Sequence, residues 1–351
     1  MPRERSAAFA PGRVNLIGEH TDYNGGLALP FAITAGVTVR AAALADGAHE
    51  PGRVQAQALD LGERDEFPLV DPPRTEGWRA FVRGVVAELA DAGYPLVSAS
   101  VDIHGEVPPG AGLSSSAALE VALCLALLDL AGASAEPDRT ELARLCARVE
   151  NDWVGARTGL LDQLASLYGA SACALRIDFR SLAVERVPLR LGDWRLAVLD
   201  SGERHAHASS GYNLRRAECA SACELLGVAS LRDAREEAIA GLPQPLRDRA
   251  SHVFGENRRV AEAVAALRAD ELSALGALLD ASHTSLRDLY EVSTPALEQT
   301  VARMRDAGAA GARLVGGGFG GSVLGLFAPG VAPPAGAREV RPGPGAHLLV
   351  E

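Results

Sequence analysis

Hydrophobic residues along the first half of the chain follow two different periods. Residues 27–44 and 97–103 alternate apolar and polar positions and are rich in Val, Thr and Ile, which predicts strands. Residues 78–92 and 139–153 place their apolar side chains on one helical face, and the Ala- and Leu-rich residues 117–130 also predict a helix. The first half is therefore expected to combine strands with packed helices.

The second half shows the same mixture. Residues 172–178 and 182–189 predict a hairpin, and residues 194–199 predict a further strand. Helical periodicity recurs at 211–226, 258–268, 272–289 and 295–307. This pattern predicts an α+β fold. Because 351 residues exceed the usual size of a domain with a single hydrophobic core, we expect two domains, 1–175 and 176–351.

A turn rich in Pro and Gly, residues 107–116, leads into the predicted helix at 117–130. Gly110 and Gly112 allow the backbone to come close to a ligand, and three serines follow where a helix begins. Free backbone N–H groups and the positive end of the helix dipole attract an anion there, which favours a phosphate-binding loop. The loop lacks the Lys of the Walker motif. A capped core helix explains the same residues equally well.

Three other segments carry candidate chemistry. Residues 11–26 contain an Arg, a His and two carboxylates between glycines, which indicates a binding loop, although a solvated charged turn remains an alternative. Asp162 lies among apolar residues, so it needs a partner or a function, unless it caps a helix. Five glycines within residues 316–321 indicate close approach of the backbone to a ligand or another loop.

Composition and charge narrow the possible partners. The net charge of −11 argues against nucleic-acid binding, because no basic face is available to displace counterions. The longest apolar stretch, residues 117–131, includes Glu120 and Asp129 and is too short to cross a bilayer, so no membrane partner is expected. The N-terminal residues lack the apolar core of a signal peptide, and the five cysteines form no C-x-x-C pair. A cytoplasmic protein with reduced thiols is expected.

Three glycine-bearing segments together carry a family resemblance: PGRVNLIGEHTDYNGG at 11–26, PPGAGLSSSAALE at 108–120 and LVGGGFGGSVLGL at 314–326. The set resembles the small-molecule kinase family of galactokinase, homoserine kinase, mevalonate kinase and phosphomevalonate kinase (GHMP kinases). Residues 12–24 are similar to the galactokinase signature, and the similarity continues through GLLDQ at 159–163 and SSGYNLRRAEC at 209–219. The resemblance covers most of the chain.

The resemblance implies a two-domain fold with a ribosomal-protein-S5-like N-terminal domain and a ferredoxin-like C-terminal domain. It places the active site in the cleft, with the ATP phosphates on the 110–116 loop and the sugar under the 13–22 loop. The implied reaction transfers the γ-phosphoryl group of ATP to the anomeric hydroxyl of α-D-galactose, with Mg²⁺ as the cofactor. Galactose and ATP are then the expected partners.

The resemblance also implies individual roles. The implied catalytic residues are Asp162 and Arg13. The implied sugar-binding residues are Glu19, His20, Asp22, Gly159 and Tyr212, whose carboxylates and imidazole would hold hydroxyls through charge-assisted hydrogen bonds. The implied ATP-binding residues are Gly110, Ala111, Gly112, Leu113, Ser114, Ser115, Ser116 and Trp78. The implied Mg²⁺ ligands are Ser116 and Glu150, since this ion prefers hard oxygen atoms.

Several alternatives stay open from the sequence. Trp78 is a candidate for the adenine pocket, but a core position explains it equally well. The acceptor could be a related sugar such as N-acetylgalactosamine or arabinose. A sensor that binds galactose and ATP without turnover belongs to a different class, although the intact run at 114–118 argues against it. The sequence does not determine the oligomeric state, and it is compatible with a monomer.

Overall fold

The structure is a computed structural model that describes residues 2–45, 52–107, 112–133, 138–156, 158–203 and 208–350. Its strands are β1 Arg5–Asn15, β2 Leu27–Ala28, β3 Pro30–Ala43, β4 Arg53–Ala58, β5 Glu63–Pro68, β6 Ala99–Gly105, β7 Cys173–Asp178, β8 Ala183–Pro188, β9 Arg195–Asp200, β10 Gly311–Val315, β11 Ser322–Phe327, β12 Arg338–Val340 and β13 His347–Leu348. Its α-helices are α1 Trp78–Asp91, α2 Ser115–Leu130, α3 Arg139–Arg148, α4 Leu161–Tyr168, α5 Ala208–Leu226, α6 Glu236–Ala240, α7 Leu246–Arg268, α8 Leu272–Asp288 and α9 Pro295–Asp306.

The larger sheet within the described ranges has the order β13-β1-β3-β6-β4-β5. Its strands pair antiparallel except for β4 and β6, which run parallel. Helix α2 packs against β1 and β3, and α1 and α3 lie beside it. Helix α2 is apolar on all sides and almost wholly buried, which is the reason for its Ala- and Leu-rich sequence. This core holds the start of α2 rigidly next to β1.

A second sheet, with the order β10-β11-β9-β12 in the described part of the chain, is covered by α8 and α9. Strand β10 lies at the edge of this sheet, where Ala312 N donates to Asp280 Oδ1 of α8 at 3.0 Å. Gly276 and Gly311 make the close approach possible, because a Cβ on Gly311 would lie 1.9 Å from the Gly276 carbonyl oxygen. A small sheet, β2-β7-β8, joins the two halves.

Most elements predicted from the periodicity are present, and the differences have local causes. The helix predicted at 139–153 ends at Arg148 and continues as a π-helical turn, Val149–Val154. The boundary proposed between residues 175 and 176 lies inside β7, and β13 returns to pair with β1. The division at 175 therefore remains a prediction. No helix in the described residues is long and apolar enough to cross a membrane.

Candidate active site

Strand β1 brings the polar segment at 11–26 against the loop that precedes α2. Its pairing with β3 is irregular between Pro11 and Arg13, and a Cβ on Gly12 would lie 2.5 Å from the Leu113 carbonyl oxygen. Arg13 N donates to the same Leu113 oxygen at 3.1 Å. Arg13 Nη1 donates to the Gly112 carbonyl at 2.6 Å. The candidate sugar and phosphate loops are therefore joined at Arg13.

Asp162 lies at the centre of this junction. Arg13 Nε and Nη2 are 2.8 and 2.6 Å from Asp162 Oδ1, and the Ser114 hydroxyl donates a short hydrogen bond to Oδ2. Asp162 belongs to the first turn of α4, whose N-cap is Leu160, so the helix-cap alternative is wrong. Ser114 occupies the N-cap position of α2, but its side chain makes no capping bond. Its hydroxyl instead donates its hydrogen bond to Asp162.

A cavity of about 380 Å³ opens beside Asp162. All the candidate catalytic and sugar-binding residues line it: Arg13, Glu19, His20, Asp22, Gly159, Asp162 and Tyr212. Gly316, Gly317 and Gly318 of the glycine-rich segment also form part of its wall. Residues from both halves of the chain therefore surround one polar cavity, which is large enough for a small molecule.

Asp22 and Gly159 lie against each other in the wall of this cavity. Asp22 begins a single 3₁₀ turn, Asp22–Asn24, and a Cβ on Gly159 would lie 1.9 Å from Asp22 Oδ2. Burial, with a contribution from the nearby carboxylates of Asp162 and Glu19, raises the pKa of Asp22 to about 6, against the lowering effect of a backbone hydrogen bond. Gly159 therefore makes room for a carboxylate that is ionised at neutral pH.

His20 is neutral and fully engaged by the protein. Burial lowers its pKa to about 3. Its Nδ1 is 2.8 Å from the Tyr23 hydroxyl, and its Nε2 is 3.2 Å from the Gly317 carbonyl oxygen. The ring also packs against Tyr212 and Tyr290, with centroids 5.3 and 4.6 Å away. A neutral imidazole favours an uncharged hydrogen bond over a charge-assisted one, and the role of His20 in sugar binding stays a prediction.

Glu19 is held by the second half of the chain. Its Oε1 lies 2.9 Å from Arg313 Nη2 and accepts a hydrogen bond from Gly316 N at 2.8 Å. Arg313 is fully buried in β10, and its Nη1 donates to the Leu16 carbonyl at 2.7 Å. Arg313 is not among the site residues predicted from the sequence. Its position between the apolar residues Ala312 and Leu314 was the available signal, because a buried charge needs a partner.

Ser116 and Glu150 form a second polar group near the start of α2. Ser116 Oγ donates to Glu150 Oε1 at 2.8 Å, and Gln163 Nε2 donates to Glu150 Oε2 at 3.1 Å. Burial raises the pKa of Glu150, and the Asp162 charge adds to the effect. The described residues contain no group of three or more His, Cys, Asp or Glu side chains that could hold a metal ion. Two hard oxygen ligands nevertheless suit Mg²⁺, which is usually bound through few protein groups together with substrate phosphates.

The candidate nucleotide residues are described only in part. Gly110 and Ala111 lie outside the described residues, whereas Gly112, Leu113, Ser114, Ser115 and Ser116 form the end of the loop and the start of α2. Trp78 does not line the cavity. Its Nε1 donates to Glu63 Oε2 at 2.9 Å, and its ring packs on the edge of the hydrophobic core between α2 and the six-stranded sheet. The structure therefore does not bring Trp78 to the other candidates, and its adenine role stays a prediction.

Three family models match separate segments of the chain. Residues 80–170 match the N-terminal domain of the GHMP kinases, and residues 263–343 match their C-terminal domain. Residues 2–43 match the galactokinase galactose-binding signature. The last match contains the polar segment at 11–26, and the first two lie on either side of residues 175 and 176.

Individual relatives agree with the family models. The galactokinase of Mycobacterium tuberculosis H37Rv is 43% identical over 325 residues, which cover 90% of this chain and 87% of that protein. The galactokinase of Roseiflexus sp. is 42% identical, with 90% of this chain and 82% of that protein covered.

Solved structures extend the comparison to the fold. A crystal structure of Lactococcus lactis galactokinase complexed with galactose matches with a TM-score of 0.90 and 33% identity, covering 99% of this chain and 96% of that one. A mevalonate kinase matches with a TM-score of 0.67 at 19% identity, covering 92% of this chain and 91% of that one, which concerns the fold alone. The predicted two-domain α+β GHMP kinase fold is confirmed. The chain therefore belongs to the galactokinases of the GHMP kinase family.

Proposed function

We propose that this protein transfers the γ-phosphoryl group of ATP to the anomeric hydroxyl of α-D-galactose, giving galactose 1-phosphate and ADP. The single observation that carries the proposal is the cavity in which the Arg13–Asp162 ion pair meets Glu19, Asp22 and Tyr212. The Lactococcus lactis relative, which was crystallised with galactose, supports the choice of sugar. The family supports ATP as the phosphoryl donor.

Asp162 is the proposed acceptor of the proton from the sugar hydroxyl. Its Oδ1 is fixed by Arg13 and its Oδ2 by the Ser114 hydroxyl, so the carboxylate has little rotational freedom. Phosphoryl transfer runs through a loose transition state, in which the hydroxyl proton becomes acidic late. Asp162 therefore contributes by orienting the hydroxyl as well as by accepting its proton. Arg13, which also binds the Gly112 carbonyl, aligns this carboxylate with the phosphate loop.

Ser116 and Glu150 are the proposed ligands for Mg²⁺. Their oxygen atoms lie 2.8 Å apart, and Thr158 and Gln163 hold the second oxygen of Glu150. These oxygen atoms would hold Mg²⁺ together with the nucleotide, and the ion would supply positive charge to balance the phosphates. The free N–H groups at the start of α2 favour the same anionic ligand. We also propose a cytoplasmic location, because ATP is a cytoplasmic substrate and all five thiols are free.

The experiment is a coupled assay of ADP release with purified protein, whose folding is checked by circular dichroism. Galactose, glucose, N-acetylgalactosamine and arabinose are compared, each with and without Mg²⁺. We expect Mg²⁺-dependent ADP release with galactose and little with glucose. Release with another sugar alone would identify a related kinase, and binding of galactose and ATP without release would identify a sensor. Absence of both binding and release would refute the proposal.

A further inference from the structure

We infer that Arg313 positions the Glu19 carboxylate for one hydroxyl of the sugar and thereby sets selectivity at that hydroxyl. This inference rests on the proposed phosphorylation of galactose. Arg313 comes from β10, whereas Glu19 belongs to the loop after β1. The guanidinium is fully buried and lies 2.9 Å from Glu19 Oε1.

The two oxygen atoms of Glu19 have different surroundings. Oε1 is taken by Arg313 Nη2 and by the Gly316 N–H group. Within the part of the chain that the structure describes, no residue donates a hydrogen bond to Oε2, although Glu19 lines the cavity. A carboxylate that is fixed through one oxygen presents the other to a ligand in a defined direction. A sugar hydroxyl is the donor that fits, because it can give one hydrogen bond to this acceptor.

The main chain of the same loop is anchored independently of the Glu19 side chain. Gly18 N donates to Glu256 Oε1 at 2.9 Å, and the Glu19 carbonyl oxygen lies 3.2 Å from His252 Nε2. Glu256 and His252 both belong to α7 and are fully buried. Loss of the Arg313 guanidinium therefore leaves the loop backbone with other anchors. Two backbone bonds do go with it, since Arg313 Nη1 also donates to the Asn15 and Leu16 carbonyl oxygens. Only an effect on the Glu19 carboxylate, however, would be specific to one sugar hydroxyl.

The positive charge of Arg313 is important because several carboxylates share the cavity. Glu19, Asp22 and Asp162 bring three carboxylates to one cavity, and Asp162 is already paired with Arg13. In the described residues, Arg313 is the cation within ion-pair distance of Glu19. Without it, the buried Glu19 carboxylate would lack a counter-charge and would rotate or take up a proton. Either change weakens the acceptor that a sugar hydroxyl meets.

The test compares Arg313→Lys and Arg313→Met with the wild-type protein. Lysine keeps the charge but loses the forked donors, and methionine keeps much of the side-chain volume but no charge. Equilibrium binding is measured for galactose and for the monodeoxygalactoses, each of which lacks one hydroxyl. ATP binding, kcat and the melting temperature are measured in parallel. The matched control is Arg83→Met, since Arg83 forms a largely buried ion pair with Asp65 and does not line the cavity.

We expect Arg313→Lys to weaken galactose binding about tenfold, and Arg313→Met to weaken it up to about 100-fold, as for a displaced or lost counter-charge at a buried carboxylate. ATP binding should stay close to the wild-type value. The penalty should disappear for one monodeoxygalactose, the one that lacks the hydroxyl facing Glu19. Arg83→Met should lower the melting temperature without changing sugar binding.

Three results would overturn the inference. A penalty of the same size for every sugar, or no penalty at all, would show that Arg313 does not act through one hydroxyl. Failure of both variants to fold would make Arg313 a residue of the scaffold, which also contradicts the positioning role. Failure of the proposed function is distinguishable, because the wild-type protein itself would then release no ADP with galactose.

Discussion

Replacement of Gly159 by alanine adds one methyl group to the wall of the cavity, directly against Asp22. In the structure, the added Cβ would lie 1.9 Å from Asp22 Oδ2 and 2.7 Å from Asp22 Cγ. Because nonbonded carbon atoms rest about 3.5–4.0 Å apart, the carboxylate must retreat by more than about 1 Å. The Asp22 side chain is half-buried and can rotate about its own bonds. Its carboxylate is therefore expected to move, while the backbone stays in place.

The predicted effect is large on catalysis and small on stability. A misplacement of about 1 Å at a substrate-positioning group can lower the rate about 100-fold, so kcat/KM for galactose should fall by about that factor. Overpacking lowers the free energy of unfolding by about 1–3 kcal/mol in a rigid core. Because the Asp22 side chain can rotate away, the loss here should lie at or below the lower end of that range. The KM for ATP should not change, because its phosphates are assigned to the other loop.

The assay is ADP release at varied galactose and ATP, together with a thermal melt. Gly241→Ala is the matched control, because a Cβ there meets its nearest atom, the Ala238 carbonyl oxygen, at an ordinary 3.5 Å and φ is −83°. We expect this control to behave as the wild type. In an Asp22→Ala background, Gly159→Ala should weaken galactose binding no further. An unchanged kcat/KM in the single Gly159→Ala variant would refute the assignment of Asp22 to the sugar.

Four further predictions address Asp162, Glu150 and the ionisation of Asp22. Asp162→Asn should retain galactose binding by calorimetry but lower kcat by about 10²–10⁴-fold, as for loss of a general base; a kcat near the wild-type value would exclude Asp162 as the base. Glu150→Gln should raise the Mg²⁺ concentration for half-maximal activity more than the galactose KM, and an identical Mg²⁺ titration would reject Glu150 as a ligand. Because burial raises the pKa of Asp22 to about 6, its ionised form is favoured only above that pH, and kcat/KM for galactose should decline as the pH falls through 6. Because the pKa of Asp22 is higher in the folded than in the unfolded protein, the free energy of unfolding falls as the pH rises from about 4 to 6. Asp22→Asn removes this loss, so it should increase the melting temperature at pH 7.5 but not at pH 4.

The sequence by itself determined most of the elements and supplied the proposed site residues. Period and composition predicted the helices at 78–92 and 117–130 because each buries a face or a whole surface against a sheet. Glu19, His20 and Asp22 stand within four positions, so their grouping needed no tertiary information. The family match extends the same local information, because each motif is a short run of neighbouring residues.

Only the tertiary structure decided which distant side chains meet and in which ionisation state. Arg13 reaches Asp162 across 149 positions, and Gly159 leaves room for Asp22, because strand pairing and helix packing bring separate segments together. The charge of His20 also depended on the fold, since burial among Tyr23, Tyr212 and Tyr290 lowers its pKa to about 3. Periodicity reports which face of an element is buried, but it carries no information about what lies opposite that face.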